Sequence, residues 1–172
     1  MNLVHIGDDY ETIDEDDVVL IFVRKRDSIG QSKYAVRFEY CPPYSTENNY
    51  YTIISGKIGD EEKNEAPIDA CIRELQEEAG IEILDKTIIN TSFQNIPVCK
   101  STMMRANIFI ITLDESEQNF TWQEVEATGD GTVNEEKSQT QWLSMDEIVS
   151  ILKSEVNCDL LFVLASFFYH SM

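Results

Sequence analysis

Three glutamates, Glu74, Glu77 and Glu78, follow directly on Arg73. At spacings of three and four residues they share one surface if the segment is helical. Glu74 and Glu78 then repel by roughly a few tenths of a kcal/mol, and the C-terminal end of a helix is also the wrong end for anions. Something cationic should compensate. Arg73 can reach Glu77 at i+4, but one guanidinium does not balance three carboxylates, whereas a hard divalent ion held by oxygens would. The competing reading is a solvated acidic face, the ordinary meaning of a charge run.

The elements that must present these side chains can be read around them. Pro67 suits a first helical turn and Gly80 the position just past a last one. Between them Ile68, Cys71, Ile72, Leu75 and Ala79 recur at steps of three and four, so the spacing predicts an amphipathic helix with the glutamates opposite its buried stripe. Upstream, the β-branched run 18–24 predicts a buried strand. A turn at 28–32 leads to a second strand at 34–40, and residues 50–54 form a strand delivering the chain to Gly56. Downstream, strands are expected at 87–93, 103–113 and 141–143. Ser144 with Glu147 makes a capping box for a helix running to about residue 153. Asp159 caps a last helix, 160–169, apolar around most of its circumference and so expected to be buried in the core or in a subunit interface. Residues 1–17 are a lead-in or a short strand. Residues 114–139 are the longest irregular stretch, in which Phe120 and Trp122 are read as packing the loop down rather than stacking on a base.

At 172 residues the chain is expected to form a single domain, 1–172, with a proper core. Its 32 acidic against 13 basic residues give a formal charge of -19, a field that repels polyanions and argues against a nucleic-acid substrate. A small anionic nucleotide can still bind where a metal inverts the local charge. Cys41, Cys71, Cys99 and Cys158 are scattered without zinc-like pairing, and Cys71 on the apolar stripe reads as a reduced core thiol. With no leader pattern and no apolar run of about 18 residues, the expectation is a cytoplasmic protein without membrane contact.

Gly59, five residues, Glu65, seven residues, then residues 73–81 in the order Arg-Glu-Leu-Gln-Glu-Glu-Ala-Gly-Ile closely resemble the signature box of the Nudix hydrolases. That family commonly opens the box with Gly-Lys-Ile, which here begins at Gly56, so either Gly56 or Gly59 is the structural box glycine. The resemblance implies an α+β fold, an α/β/α sandwich around a mixed β-sheet. It implies Mg2+ or Mn2+ as cofactor, held by Glu74, Glu77 and Glu78 and by the backbone carbonyl before the box glycine, at Ser55 or Ile58, with Glu77 or Glu78 also a catalytic candidate for assisting a water. Arg73 would orient a glutamate, and Glu65 and Gly80 complete the box.

Outside the box the chain is similar to the ADP-ribose pyrophosphatase-like branch. Pro42 and Pro43 end a strand as in that branch, although Cys41 stands where arginine is common there. Pro97 lies 16 residues beyond Ile81, a spacing that accompanies that branch, and is a candidate substrate contact. The loop containing Gly129, Asp130 and Gly131 resembles one that brings a glutamate over the metals, which makes Glu135 and Glu136 candidates for the general base. Arg24, in the basic cluster at residues 24–26, and Arg37 are candidate phosphate contacts from strands beside the site; the ordinary reading of the cluster is a hairpin end balancing acidic surface. The implied function is hydrolysis of a nucleoside diphosphate linked to another moiety, with ADP-ribose or a nucleotide sugar the leading substrate. Alternatives are a nucleoside triphosphate or dinucleoside polyphosphate hydrolase, and a catalytically silent nucleotide sensor. Relatives of the ADP-ribose type are often dimers, and the apolar final helix is compatible with a homodimer.

Overall fold

The computed structural model describes residues 2–5, 11–14, 16–39, 50–59, 64–99, 102–117, 119–123, 138–154 and 157–171. Cys41, Pro42, Pro43, the 129–131 element, Glu135 and Glu136 lie outside these residues.

The chain runs β1 (Asn2–His5), β2 (Glu11–Asp14), β3 (Val18–Arg26), β4 (Ser32–Glu39), β5 (Tyr50–Thr52) and β6 (Ile54–Lys57) into α1 (Pro67–Ala79). It continues through β7 (Ile81–Ile83), β8 (Ile89–Pro97), β9 (Arg105–Asp114), β10 (Phe120–Trp122), β11 (Gln139–Leu143), α2 (Met145–Lys153), β12 (Asn157–Cys158) and α3 (Leu160–Ser171). The result is α+β. A mixed sheet runs β12-β5-β4-β3-β9-β8, with β6 also on β3 and β11 also on β4.

β3 is the axis. It pairs in parallel with β9 along its whole length, from Val18 opposite Ala106 to Arg26 opposite Asp114. Its other edge is shared: the first half pairs with β6 and the last three residues with β4. A strand covered on both faces must be apolar throughout, which is why residues 18–23 show no polar alternation. Val19, Ile21 and Val23 pack against Cys71, Leu75 and Ala79 of α1. Leu20 and Phe22 point the other way, to Ile148 of α2 and Phe162, Ala165 and Tyr169 of α3. The sheet is thus the middle of three layers.

The caps form as the sequence requires. Pro67 opens α1, and Gly80 closes it in the left-handed conformation at φ 62°, its N–H on the carbonyls of Gln76 and Leu75. Ser144 and Glu147 make both bonds of the capping box on α2. Asp159 accepts the Phe162 amide at 2.8 Å and the Thr52 hydroxyl at 2.6 Å, tying the start of α3 to β5.

Three expectations change, and the last helix adds a detail. The lead-in contains an antiparallel hairpin, β1 with β2. The 50–54 strand divides around Ile53, because β5 continues along β4 whereas β6 crosses to β3. The stretch 114–139 contains β10, which pairs with β7 immediately after the Gly80 turn; Phe120 packs onto the core and Trp122 stays 44% exposed. The last helix is buried on one face only, with Leu160, Leu164 and Phe167 exposed. Among the described residues no helix is long and apolar enough to cross a membrane.

Candidate active site

α1 lies across β6, and that crossing brings the carboxylates to one short piece of backbone. Glu74 packs on Gly56 so closely that a Cβ at residue 56 would fall inside its carboxylate. One turn later, Glu78 Oε2 accepts the Ser55 amide at 3.3 Å. Two acids four residues apart on a helix therefore flank two consecutive residues of a strand.

Arg73 ties the acids to the preceding loop. Its Nη1 donates to Glu74 Oε1 at 2.5 Å and to Glu77 Oε2 at 3.1 Å, while Nε meets Glu65 Oε1 at 3.0 Å. Its Nη2 donates to the Lys57 carbonyl at 2.9 Å and to Glu65 Oε2 at 3.2 Å. Glu65 in turn accepts the Gly59 amide at 3.2 Å, so the loop is fastened to the helix at both ends. The Glu65 hydrogen bond, followed by those from Glu74 and Glu77, holds the guanidinium far above its already high pKa. Glu77 is the outermost acid, its side chain 53% exposed.

Glu78 faces a second cation. Arg37 on β4 is only 2% exposed, and its Nη2 lies 3.3 Å from Glu78 Oε1. Burial pushes the Glu78 carboxyl up to about 8 despite the pull of Arg37 and the Ser55 amide, and Glu74 and Glu39 add to the rise. Burial, with Glu74 nearby, likewise pushes the Cys71 thiol up to about 12, as expected for a core cysteine.

The NUDIX domain family model matches residues 16–159. The chain belongs to the Nudix hydrolase family. Its fold is also that of the crystal structure of a Nudix hydrolase from M. smegmatis, RenU, with a TM-score of 0.53 over 99% of this chain and 92% of that one at 10% identity. No significant match was found among curated proteins.

In this Nudix hydrolase Gly56 and Gly59 are each constrained, for different reasons. Gly56 has no positive φ and is constrained by the Glu74 carboxylate above it. Gly59 has open space around its Cα but a φ of +103°, a conformation L side chains avoid. The steric tie between Gly56 and a box acid favours Gly56, preceded by Ser55, as the glycine facing the site.

Nudix hydrolases generally use divalent metal ions. Among the described residues no three His, Cys, Asp or Glu side chains converge as a ready-made cluster. Arg73 pairs with Glu74 and Glu77, and Arg37 with Glu78. The donor chemistry nevertheless fits a hard cation, because the available groups are oxygens and because Glu78 is a buried acid whose charged form needs positive charge close by.

The remaining candidates divide. Ser55 is at the site through its backbone. Arg37 is at the site too, but its guanidinium is turned to Glu78, Glu39 and Ser138 rather than outward to a phosphate. Arg24 is elsewhere: Gly56 pairs with Val19, and Arg24 is five positions further along β3, about 16 Å away. It donates to Thr112 at 3.3 Å, and its neighbours Lys25 and Arg26 lie 3.6 and 3.8 Å from Glu115 and Asp114, which is the hairpin-end arrangement. Lys25 also lies over the rings of Trp122 and Trp142, at 4.9 and 4.7 Å. Pro97 is exposed on the outer strand β8, opposite Arg105, at the end of the sheet where the box loop begins.

Proposed function

We propose that this Nudix hydrolase cleaves the diphosphate of a nucleoside diphosphate joined to a sugar, with ADP-ribose or a nucleotide sugar as substrate. Mg2+ or Mn2+ would be held by Glu74, Glu77, Glu78 and the Ser55 carbonyl. Once bound, such ions neutralise and polarise a diphosphate and lower the pKa of a water. The observation that carries the reading is the convergence of Glu74 and Glu78 on the Ser55–Gly56 backbone. It explains a helix whose acids sit at its electrostatically unfavourable end.

The chain's own residues divide the work. Arg73 holds Glu74 and Glu77 in register with the box loop through Glu65 and Lys57, so the carboxylates are positioned before substrate arrives. Glu78, buried between Arg37 and the Ser55 amide, would meet a cation as the ionised carboxylate. The acidic surface repels long polyanions, which favours a small nucleotide over a nucleic acid. The Pro97 spacing supports the ADP-ribose-type branch over triphosphate or dinucleoside polyphosphate substrates.

Phosphate release through a coupled phosphatase, measured on ADP-ribose, nucleotide sugars, dinucleoside polyphosphates and nucleoside triphosphates with Mg2+, Mn2+ or EDTA, tests the reading. Metal-dependent turnover led by ADP-ribose or a nucleotide sugar is the expected result. A different leading substrate removes the Pro97 argument. Nucleotide binding without turnover on any compound replaces the enzyme by a sensor.

A further inference from the structure

Arg37 is a buried cation with an unusual set of neighbours. Its Nη1 donates to the main-chain carbonyl of Glu78 at 3.1 Å, while Nη2 lies 3.3 Å from the carboxylate of the same residue. Nη2 also donates to Ser138 Oγ at 2.5 Å, and Nε to Glu39 Oε1 at 3.3 Å. Thr140, directly opposite Arg37 across β4 and β11, sends its hydroxyl to the same Glu78 carbonyl at 2.7 Å. The sheet therefore grips one residue of α1 by main chain and side chain together.

Packing alone does not call for this arrangement. Burying a guanidinium carries a large desolvation cost that an apolar side chain of similar length avoids. The α1 helix has no basic residue in its own last turn, where the exposed carbonyls favour a cation. Arg37 supplies that cation from β4. Because the other Glu78 oxygen accepts the Ser55 amide at 3.3 Å, the carboxylate is strung between β4 and β6.

We propose that Arg37 is a positioning residue that fixes the Glu78 carboxylate against the Ser55 backbone in the orientation that receives a divalent cation. The inference rests on the reading above that Glu78 is a metal ligand. It makes a prediction opposite in sign to simple electrostatics. Where Glu78 is ionised with or without Arg37, a positive charge beside a metal ligand weakens cation binding, so a merely neighbouring arginine should then improve Mn2+ affinity when removed, and Arg37→Lys, which keeps the charge, separates loss of charge from loss of grip. A positioning arginine should lower it, and loss of partners that orient metal ligands typically costs about 10–100-fold in affinity.

The test is Mn2+ titration of the EDTA-treated full chain, followed by the electron paramagnetic resonance signal of free Mn2+, for wild type, Arg37→Met, Arg37→Lys and Ser138→Ala. Circular dichroism and urea unfolding establish that each variant is folded. Arg37→Met is expected to bind Mn2+ at least tenfold more weakly. Arg37→Lys, which keeps the charge but not the two-armed grip, and Ser138→Ala, which removes one anchor of the guanidinium, are each expected to lose several-fold. Should Arg37→Met fail to fold, the other two variants decide the question. Unchanged or tighter Mn2+ binding in the folded variants overturns the inference while leaving the metal site intact. Wild-type protein that binds no Mn2+, or a Glu78→Gln variant that binds it as wild type does, overturns the inference by removing the metal-ligand reading itself.

Discussion

Gly56 and Glu74 should be energetically coupled, and the coupling can be worked out from their contact. Gly56→Ala places a methyl group where the Glu74 carboxylate lies, in a backbone whose φ is not positive. By backbone entropy alone the substitution would stabilise by about 0.4–1 kcal/mol. Against that, the carboxylate must leave, and overpacking of this kind costs about 1–3 kcal/mol. Displacement also breaks the charged hydrogen bond to Arg73; with the arginine 36% exposed, screening reduces that loss to about 1 kcal/mol. The net is about 1–3.5 kcal/mol of destabilisation. In a Glu74→Ala background the obstructing atoms are gone, and Gly56→Ala should be neutral or slightly stabilising. Urea unfolding of the two single variants and the double variant in EDTA, followed by tryptophan fluorescence, should give a coupling energy of about 2–4 kcal/mol, because the backbone-entropy gain is common to both backgrounds and cancels. Gly59→Ala is the control: its cost, about 1–2 kcal/mol, comes from the φ of +103° and should be the same whether or not Glu74 is present. A Gly56–Glu74 coupling below about 0.5 kcal/mol would refute the steric argument and with it the preference for Gly56 as the glycine facing the site.

Other outcomes follow from the same geometry. Glu77→Gln and Glu78→Gln should each nearly abolish metal-dependent phosphate release while leaving the far-ultraviolet circular dichroism unchanged; a variant keeping more than about a tenth of the activity loses its assigned role. In EDTA, Glu78 should make stability fall as pH rises. Its folded pKa of about 8 exceeds the ordinary 4.5, so the folded state binds more protons between those values, and the contribution is complete below pH 4.5 and lost through pH 8. Melting temperature against pH should therefore slope less steeply in Glu78→Gln than in wild type; equal slopes would count against the raised pKa. Native protein at pH 8 should be alkylated at exposed Cys99 and protected at Cys71, whose thiol is buried and pushed up to about 12, until denaturant is added. Peptide mapping of the labelled protein reads this directly.

The fold was legible where local rules and tertiary demand agree. Pro67, Gly80 and the Ser144–Glu147 pair bound their helices because caps satisfy backbone groups that the helix itself leaves open. The 18–24 run announced a strand covered on both faces, since such a strand needs no polar side. Partner choice was not legible. Nothing local to residues 50–57 says that the chain must break at Ile53 and pass from β4 to β3, because the two partners are supplied by distant segments. β7 and β10 are three residues each, too short for a period to declare itself, and pair across 37 residues of sequence from Ile83 to Phe120. Composition does not divide the last helix: Leu160, Leu164 and Phe167 share its apolar character with Phe162, Ala165 and Tyr169, yet only the second set meets the sheet.

The site shows the same division more sharply. An excess of negative charge at the end of α1 could be read from Glu74, Glu77 and Glu78, and so could the need for a counter-charge. Its source could not. Arg73 was visible as one partner because i+4 geometry is local. Arg37 stands 41 residues before Glu78, on a strand where alternation makes it one side chain among several on the α1 side of the sheet, and only the tertiary placement of α1 reveals that it meets Glu78 twice. A basic residue within a strand otherwise destined for burial is the signal that was available. Read by itself it suggested a phosphate contact; at 2% exposure and with its hydrogen bonds turned inward, the same charge instead serves the protein's own carboxylate. In so acidic a chain that distinction has a physical basis. A surface arginine here is screened by solvent and competed for by many acids, whereas a buried one acts at short range on the single carboxylate it touches.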